Sequence, residues 1–207
     1  MPTAVKICGI TRVEDALAAA RLGAHAIGLV FYRPSPRYVA PHAAREIIRA
    51  LPPFVTAVGL FVDATEDDVR EVIAAAPVGL LQFHGSESPQ FCRRFGLPYM
   101  RAARVRPGTD LLQYARDYHD AKALLLDAYV DGTHGGTGQS FDWSLIPRTL
   151  PLPVVLSGGL DARNVTGAIQ QVRPWAVDVS SGVEAAPGMK DAGKIAAFMS
   201  GVRNADV

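Results

Sequence analysis

The chain has little cysteine. Only Cys8 and Cys92 occur in 207 residues, far apart and without metal-ligand spacing. That argues against a disulfide-stapled secreted fold and against a cysteine-built structural zinc site. Nor is there an excess of charge of either sign. Lys plus Arg is 21, Asp plus Glu is 20, and the formal net charge is +1. Such a balance argues against a protein that tracks nucleic acid and against a polybasic membrane binder. No apolar run approaches the roughly 18 residues that a membrane helix needs. The opening Met1-Pro2-Thr3-Ala4-Val5-Lys6 runs straight into an apolar segment, without the basic stretch and long apolar core of a secretory signal. No Ser- or Pro-rich linker divides the chain. The expectation is a soluble cytoplasmic protein, one domain over residues 1–207, with neither a membrane nor a nucleic-acid partner.

What is present is ordinary globular usage, 49% hydrophobic and 20% charged. A chain of this length buries about 70% of its unfolded surface without staples. Two kinds of segment alternate along it. The first is short, apolar and β-branched: Ala4–Cys8, Ala26–Phe31, Val55–Val62, Val78–Phe83, Tyr99–Val105, Ala123–Asp127, Val154–Leu156 and Ala176–Val179. These runs are continuous rather than alternating in polarity, as strands buried on both faces should be. The second kind has helical period. Val13, Ala16, Leu17 and Ala20 form one apolar stripe, and Ala44, Ile47, Ile48 and Leu51 another. The pattern recurs near Val69, Leu111, Val165 and Ile195, with shorter candidates at Pro89–Phe95 and Trp143–Leu150. Thr11 with Glu14, and Thr65 with Asp68, read as capping boxes. Ser88 before Pro89 reads as a helix start, and Gly23 as a helix end.

Eight strands alternating with eight helices predict an α/β fold, a (β/α)8 TIM barrel. The competing open doubly wound sheet would carry Gly-x-Gly-x-x-Gly in its first turn, where this chain has Cys8-Gly9-Ile10-Thr11. A barrel keeps its reactive groups at the C-terminal ends of its strands. Cys8 stands there on the first strand, His84 on the fourth, Arg104 on the fifth and Asp127 on the sixth. Arg37 lies in the loop after the second strand. Strand seven runs into Ser157-Gly158-Gly159 and strand eight into Ser180-Ser181-Gly182. Two glycine- and serine-bearing turns in these consecutive loops predict a phosphate site, because glycine lets backbone N–H groups approach an anion closely.

Each of these residues also has a plainer reading. A free cysteine is usually a small buried hydrophobe. If Cys8 acts as nucleophile or base it needs a thiolate, so positive potential must lower its usual value of about 8.5. Lys6, two residues earlier, shares its face. Asp127 either caps the next turn or is a candidate acid, since partial desolvation favours a protonated carboxyl. His84 is a catalytic or a supporting hydrogen-bonded residue. Arg37 offers a planar fork to a carboxylate, or is a surface arginine. The glycine-rich stretch 131–138 lacks the Gly-Lys-Ser/Thr ending of a P-loop and reads as a lid or a solvent loop. Cys92 reads as packing.

The same segments resemble the phosphoribosylanthranilate isomerase family, the barrels of tryptophan biosynthesis. Lys6-Ile7-Cys8-Gly9-Ile10-Thr11 is similar to the family's opening motif, and Ser35-Pro36-Arg37, Gln82-Phe83-His84-Gly85 and Gly135-Gly136-Thr137-Gly138 continue the match. Ser157-Gly158-Gly159-Leu160, Val177-Asp178-Val179-Ser180-Ser181-Gly182-Val183-Glu184 and Pro187-Gly188-Met189-Lys190-Asp191 close it. Phe83 replaces a more usual leucine. The resemblance implies an Amadori rearrangement of N-(5-phosphoribosyl)anthranilate to 1-(2-carboxyphenylamino)-1-deoxyribulose 5-phosphate. It implies Asp127 as general acid, Cys8 as general base and Arg37 on the anthranilate carboxylate. Gly158, Gly159, Ser180, Ser181 and Gly182 would hold the phosphate, with Lys6, His84 and Asp178 near the site. It calls for no metal or other cofactor, for a small phosphorylated substrate as partner, and for a monomer or homodimer. Two alternatives stay open: another phosphosugar aldose–ketose isomerase barrel, and a phosphate-binding barrel without catalysis. An indole-glycerol-phosphate synthase would want a lysine–glutamate set in the early strands, and the histidine-pathway isomerase an aspartate where Cys8 stands.

Overall fold

A computed structural model of the chain describes residues 2–128 and 141–205. Eight strands close into one barrel in sequence order: β1 (Ala4–Cys8), β2 (Ala26–Val30), β3 (Thr56–Phe61), β4 (Leu80–Phe83), β5 (Tyr99–Val105), β6 (Leu124–Ala128), β7 (Val154–Leu156) and β8 (Ala176–Val179). Every barrel pairing is parallel, and β1 closes the ring on β8 with Lys6 opposite Asp178. The period of two sorts each strand. On β1, Val5 and Ile7 join the helix-side core with Ala16, Ile195 and Phe198, while Cys8 faces the interior with Val30, Leu60 and Val62. Deeper inside, Val58, Met100, Leu125, Val155 and Ala176 fill the barrel at its N-terminal end. This plug makes the interior a packed core rather than a pore, and a barrel of this kind places its reactive groups at the C-terminal mouth.

Around the barrel run α1 (Val13–Arg21), α2 (Pro41–Ala50), α3 (Glu66–Ala75), α4 (Pro89–Cys92), α5 (Leu111–Asp117), α6 (Val165–Val172) and α7 (Ala192–Ala205). The burial follows the expected stripes on most of them, but on α1 only Ala16 of the expected stripe is fully buried, beside Asp15 and Ala19. On α7, Ile195, Phe198, Met199 and Val202 are all buried, and each contributes about 1.5–3 kcal/mol of transfer free energy. The expected capping box of Thr65 and Asp68 forms at the start of α3. Ser88 caps α4 by accepting from the Phe91 N–H, and Gly23 at φ 99° follows α1.

Two expectations fail for physical reasons. The expected box at Thr11 and Glu14 does not form, because the residue preceding α1 is Arg12 and the Thr11 hydroxyl instead donates to the Gly188 carbonyl at 2.5 Å. A long-range partner has taken the local cap. The helix expected at Trp143–Leu150 is a single 3-10 turn, Trp143–Leu145. Pro147 pushes Ile146 to extended backbone (ψ 121°) and ends it. The described residues therefore hold seven α-helices rather than eight. The glycine-rich stretch 131–138 lies outside the described residues. The chain also has an unexpected two-stranded ladder, β9 (Glu184–Ala186) with β10 (Met189–Lys190), after a 3-10 turn at Ser181–Val183. It turns through Gly188 and brings Glu184 and Lys190 to the barrel mouth.

Candidate active site

One cavity at the C-terminal mouth is lined by Cys8, Arg37, His84, Asp127, Asp178 and Ser180, together with Tyr32, Gln82, Ser157 and the apolar Val30, Leu60 and Val62. Six of the residues singled out in the sequence therefore share one chamber. They arrive from β1, β2, β4, β6 and β8 and the turns beyond them, as a barrel mouth requires.

Asp127 is buried at the end of β6. Its Oδ1 accepts the Ala128 N–H at 2.9 Å, and its Oδ2 lies 3.1 Å from His84 Nε2. On the ring's other side, Gln82 Nε2 lies 2.9 Å from His84 Nδ1. Gln82 and His84 are two apart on one strand, so both point inward. Gly158, at φ 86°, lets the turn after β7 pass against this group. A Cβ there would stand 2.6 Å from the Ala128 nitrogen and 2.9 Å from Asp127 Oδ1.

Cys8 sits above a buried ion pair. Lys6 Nζ contacts Asp178 Oδ1 at 2.8 Å, and Ser157 Oγ donates to Asp178 Oδ2 at 3.4 Å. Burial works against the Lys6 ammonium, but Asp178 and Cys8 outweigh it and the amine's pKa rises. For Cys8, burial dominates and pushes the thiol up, while Lys6 pulls the other way. The positive potential expected beside Cys8 is present, yet it does not overcome desolvation. Gly28, opposite Cys8 in the β1–β2 register, leaves the room this cluster needs. A Cβ at Gly28 would lie 2.7 Å from Cys8 Sγ and 3.1 Å from Lys6 Cε.

Arg37 reaches the chamber with most of its fork already engaged. Its Nε and Nη2 donate to the two oxygens of Glu184 at 2.8 and 2.7 Å. Lys190 Nζ donates to the same carboxylate at 2.8 Å and to the Ser180 carbonyl at 3.2 Å. Burial opposes the Glu184 anion, but Arg37 and Lys190 hold its pKa below the usual carboxylate value. Burial, with Arg37 nearby, pulls Lys190 down. Two cations around one buried carboxylate leave this wall positive, which suits an anionic ligand.

Of the expected phosphate residues, Ser180 lines the chamber. Gly158 and Gly159 follow β7, both at positive φ, 86° and 63°. Ser181 and Gly182 form the 3-10 turn after β8. The two turns therefore stand side by side at the mouth, since β7 pairs with β8.

A family model described as N-(5'phosphoribosyl)anthranilate (PRA) isomerase matches residues 5–201. The chain belongs to that family. Among its curated relatives, the N-(5'-phosphoribosyl)anthranilate isomerase of Nitrosospira multiformis is 66% identical over 202 residues, covering 98% of this chain and 97% of that protein. The solved phosphoribosyl anthranilate isomerase of Thermotoga maritima, described as dimeric, superposes with a TM-score of 0.90 at 42% identity, covering 98% of this chain and 99% of its own. Another solved isomerase, in complex with reduced 1-(o-carboxyphenylamino)-1-deoxyribulose 5-phosphate, gives 0.86 at 41%, with the same coverage. The reaction class is that of an isomerase in tryptophan biosynthesis, an intramolecular Amadori rearrangement. Among the described residues, no helix is long and apolar enough to cross a membrane.

For a phosphoribosylanthranilate isomerase chamber of this kind, sequence reasoning assigned no role to Gln82, Glu184 or Lys190, and it placed Ser157 in a phosphate turn, where its hydroxyl instead donates to Asp178. A signal existed for Gln82: a polar residue two before His84 in an apolar strand must face the interior or stay unsatisfied. None existed for Glu184 and Lys190, whose place depends on the short β9–β10 ladder.

Proposed function

We propose that this chamber converts N-(5-phosphoribosyl)anthranilate to 1-(2-carboxyphenylamino)-1-deoxyribulose 5-phosphate, with Asp127 as general acid and Cys8 as general base. The observation that carries the reading is that the Asp127 carboxyl and the Cys8 thiol line one cavity beside a cationic wall. Asp127 gives its proton to the furanose ring oxygen as the C1′–O bond breaks, and the anthranilate nitrogen's lone pair forms the Schiff base. The iminium acidifies the C2′ proton, which passes to the Cys8 thiolate. The enolamine then tautomerises to the ketone. Lys6, held by Asp178, sits where it offsets the thiolate's charge. Arg37 meets the anthranilate carboxylate through Nη1, the nitrogen not spent on Glu184. The turns of Gly158, Gly159, Ser180, Ser181 and Gly182 hold the phosphate with backbone N–H groups and hydroxyls. The barrel and the helices around it work as one domain.

A base that must remain a thiol fits a reducing compartment, so we place the protein in the cytoplasm. It acts as a homodimer rather than a monomer in this reading. Phe54 is fully exposed at φ 71° just before β3. An apolar depression lined by Met100, Val155, Trp175 and Ala176 lies at the same N-terminal end of the barrel. A second copy of the chain would bury both. Phe54→Ser should then lower the mass measured by sedimentation, and an unchanged mass overturns the dimer.

The deciding experiment generates phosphoribosylanthranilate in place and follows the loss of its fluorescence. Fast decay is expected, with Asp127→Asn nearly inactive and Cys8→Ala losing kcat far more than it raises KM. More than about a tenth of wild-type rate in Asp127→Asn removes the acid assignment, and unchanged kcat in Cys8→Ala removes the base. No decay from a folded wild-type protein moves the assignment to another phosphosugar isomerase.

A further inference from the structure

Gln82 is fully buried on the chamber wall and belongs to no step above. Its side-chain amide nitrogen faces His84 Nδ1 at 2.9 Å, and His84 Nε2 faces Asp127 Oδ2 at 3.1 Å. An amide NH2 only donates, so Nδ1 must accept, and the ring's single proton stands on Nε2, directed at Asp127. We propose that Gln82 is a positioning residue that keeps His84 neutral in the Nε2–H tautomer, so that a proton taken up by the pair resides on the Asp127 carboxyl and not on the imidazole. This rests on the reading of Asp127 as general acid.

The argument is one of competing bases. A free imidazole is a stronger base than a carboxylate by roughly 2–3 pH units. In an unguarded His–Asp pair the added proton goes to the ring, which leaves an ion pair with no proton on the carboxyl to give. Imidazolium would need an N–H on Nδ1, and that N–H would point into the Gln82 NH2. Two donors facing each other in a buried site is a costly arrangement. The remaining place for the proton is the carboxyl, beside the cavity where the sugar ring oxygen would lie. The charged and titratable groups around the ring are Asp127 on β6 and Arg104 on β5, whose guanidinium donates to the His84 carbonyl at 3.3 Å. Across the cavity stand Cys8, Asp178 and Arg37. Gln82 Oε1 is buried and has no protein partner among the described residues, so the contact with His84 Nδ1 alone sets which way round the amide stands.

The test is nitrogen NMR of protein carrying 15N-histidine, with the His84 signals identified by their loss in His84→Gln. In the wild type at neutral pH, His84 should show the neutral Nε2–H pattern. Gln82→Glu puts an acceptor opposite Nδ1. It should convert His84 to imidazolium and lower kcat roughly 10- to 100-fold with little change in KM. Gln82→Met, which removes the donor at similar volume, should let His84 take up the Nδ1–H tautomer. An Nδ1–H tautomer or an imidazolium in the wild type overturns the proposal. So does a Gln82→Glu protein whose tautomer and kcat are both unchanged. The tautomer is read without turnover, so an active Asp127→Asn protein would sink the acid assignment and leave this measurement standing. If Gln82→Glu does not fold, the wild-type spectrum alone decides.

Discussion

The Lys6 ammonium meets the Asp178 carboxylate at 2.8 Å across the seam where the first strand of the barrel pairs with the last. Both side chains are buried, so neither charge is solvated if the other is removed. Lys6→Met should therefore cost about 3–5 kcal/mol of stability, the usual result of stranding a buried charge. Lys6→Met combined with Asp178→Leu should recover part of that loss. Urea denaturation of the two variants checks it. A loss below about 1 kcal/mol for the single variant would mean that water reaches the pair.

Burial governs the reactivity of Cys8, and Lys6 of the same ion pair works against it. The net shift of the thiol is upward, so Cys8 is mostly thiol at neutral pH. Alkylation of Cys8 by iodoacetamide should be slow at neutrality and still climbing where a free thiol has already levelled off, above about pH 8.5. Cys92, buried and pushed up to about 12, should stay unmodified throughout. Mass spectrometry of the labelled sites gives both rates. A plateau for Cys8 below neutral pH would show a thiolate already formed in the free site.

The barrel was legible because its strands are buried on both faces and its helices on one. Runs such as Ala123–Asp127 and stripes such as Val69, Val72 and Ile73 carry that difference in the order of residues alone. Cys8, His84 and Asp127 were legible as candidates for a related reason, since each is polar or reactive where an apolar strand ends, whereas Asp178 stood out only through the family resemblance. The pairings between distant residues were not legible. Nothing local says that Arg37 will spend its fork on Glu184, 147 positions away, or that Thr11 will leave its helix for the carbonyl of Gly188. Such contacts exist only once the ring has closed and the β9–β10 ladder has turned back over it. The level of the Cys8 thiol was hidden too. Lys6 was visible as a neighbour, but the burial that outweighs it is a property of the filled barrel.

Gly28 offers a test of how tightly the cluster is packed. A methyl group there would lie 2.7 Å from Cys8 Sγ, with the Cys8 backbone Cα and Lys6 Cε each at 3.1 Å. The Cys8 side chain is short and cannot swing clear on β1. Gly28→Ala should cost about 1–3 kcal/mol by overpacking and lower kcat by displacing the thiol. Thermal unfolding and steady-state rates read the two effects. A variant with wild-type stability and rate would show that β1 and β2 can separate locally.

Glu184 binds Arg37 and Lys190 together and, in the proposed mechanism, touches no reacting atom. Its removal should therefore act on binding before chemistry. Glu184→Gln keeps the shape but weakens the hold on the Arg37 fork, so KM should rise several-fold while kcat changes little. The same substitution should change the acid limb of stability. In the folded protein the Glu184 pKa lies below its ordinary value of 4.5, so its contribution is fully present above that value and disappears as the pH falls through the lower, folded one. The wild type should lose stability steeply in that acid window, and Glu184→Gln should lose it less steeply while being less stable at neutral pH. Unfolding free energies measured from neutral pH down to about pH 3 separate the curves. Parallel curves would mean that the two cations do not favour the Glu184 anion, and a kcat loss without a KM change would mean that Arg37 acts on the chemistry rather than on the substrate's carboxylate.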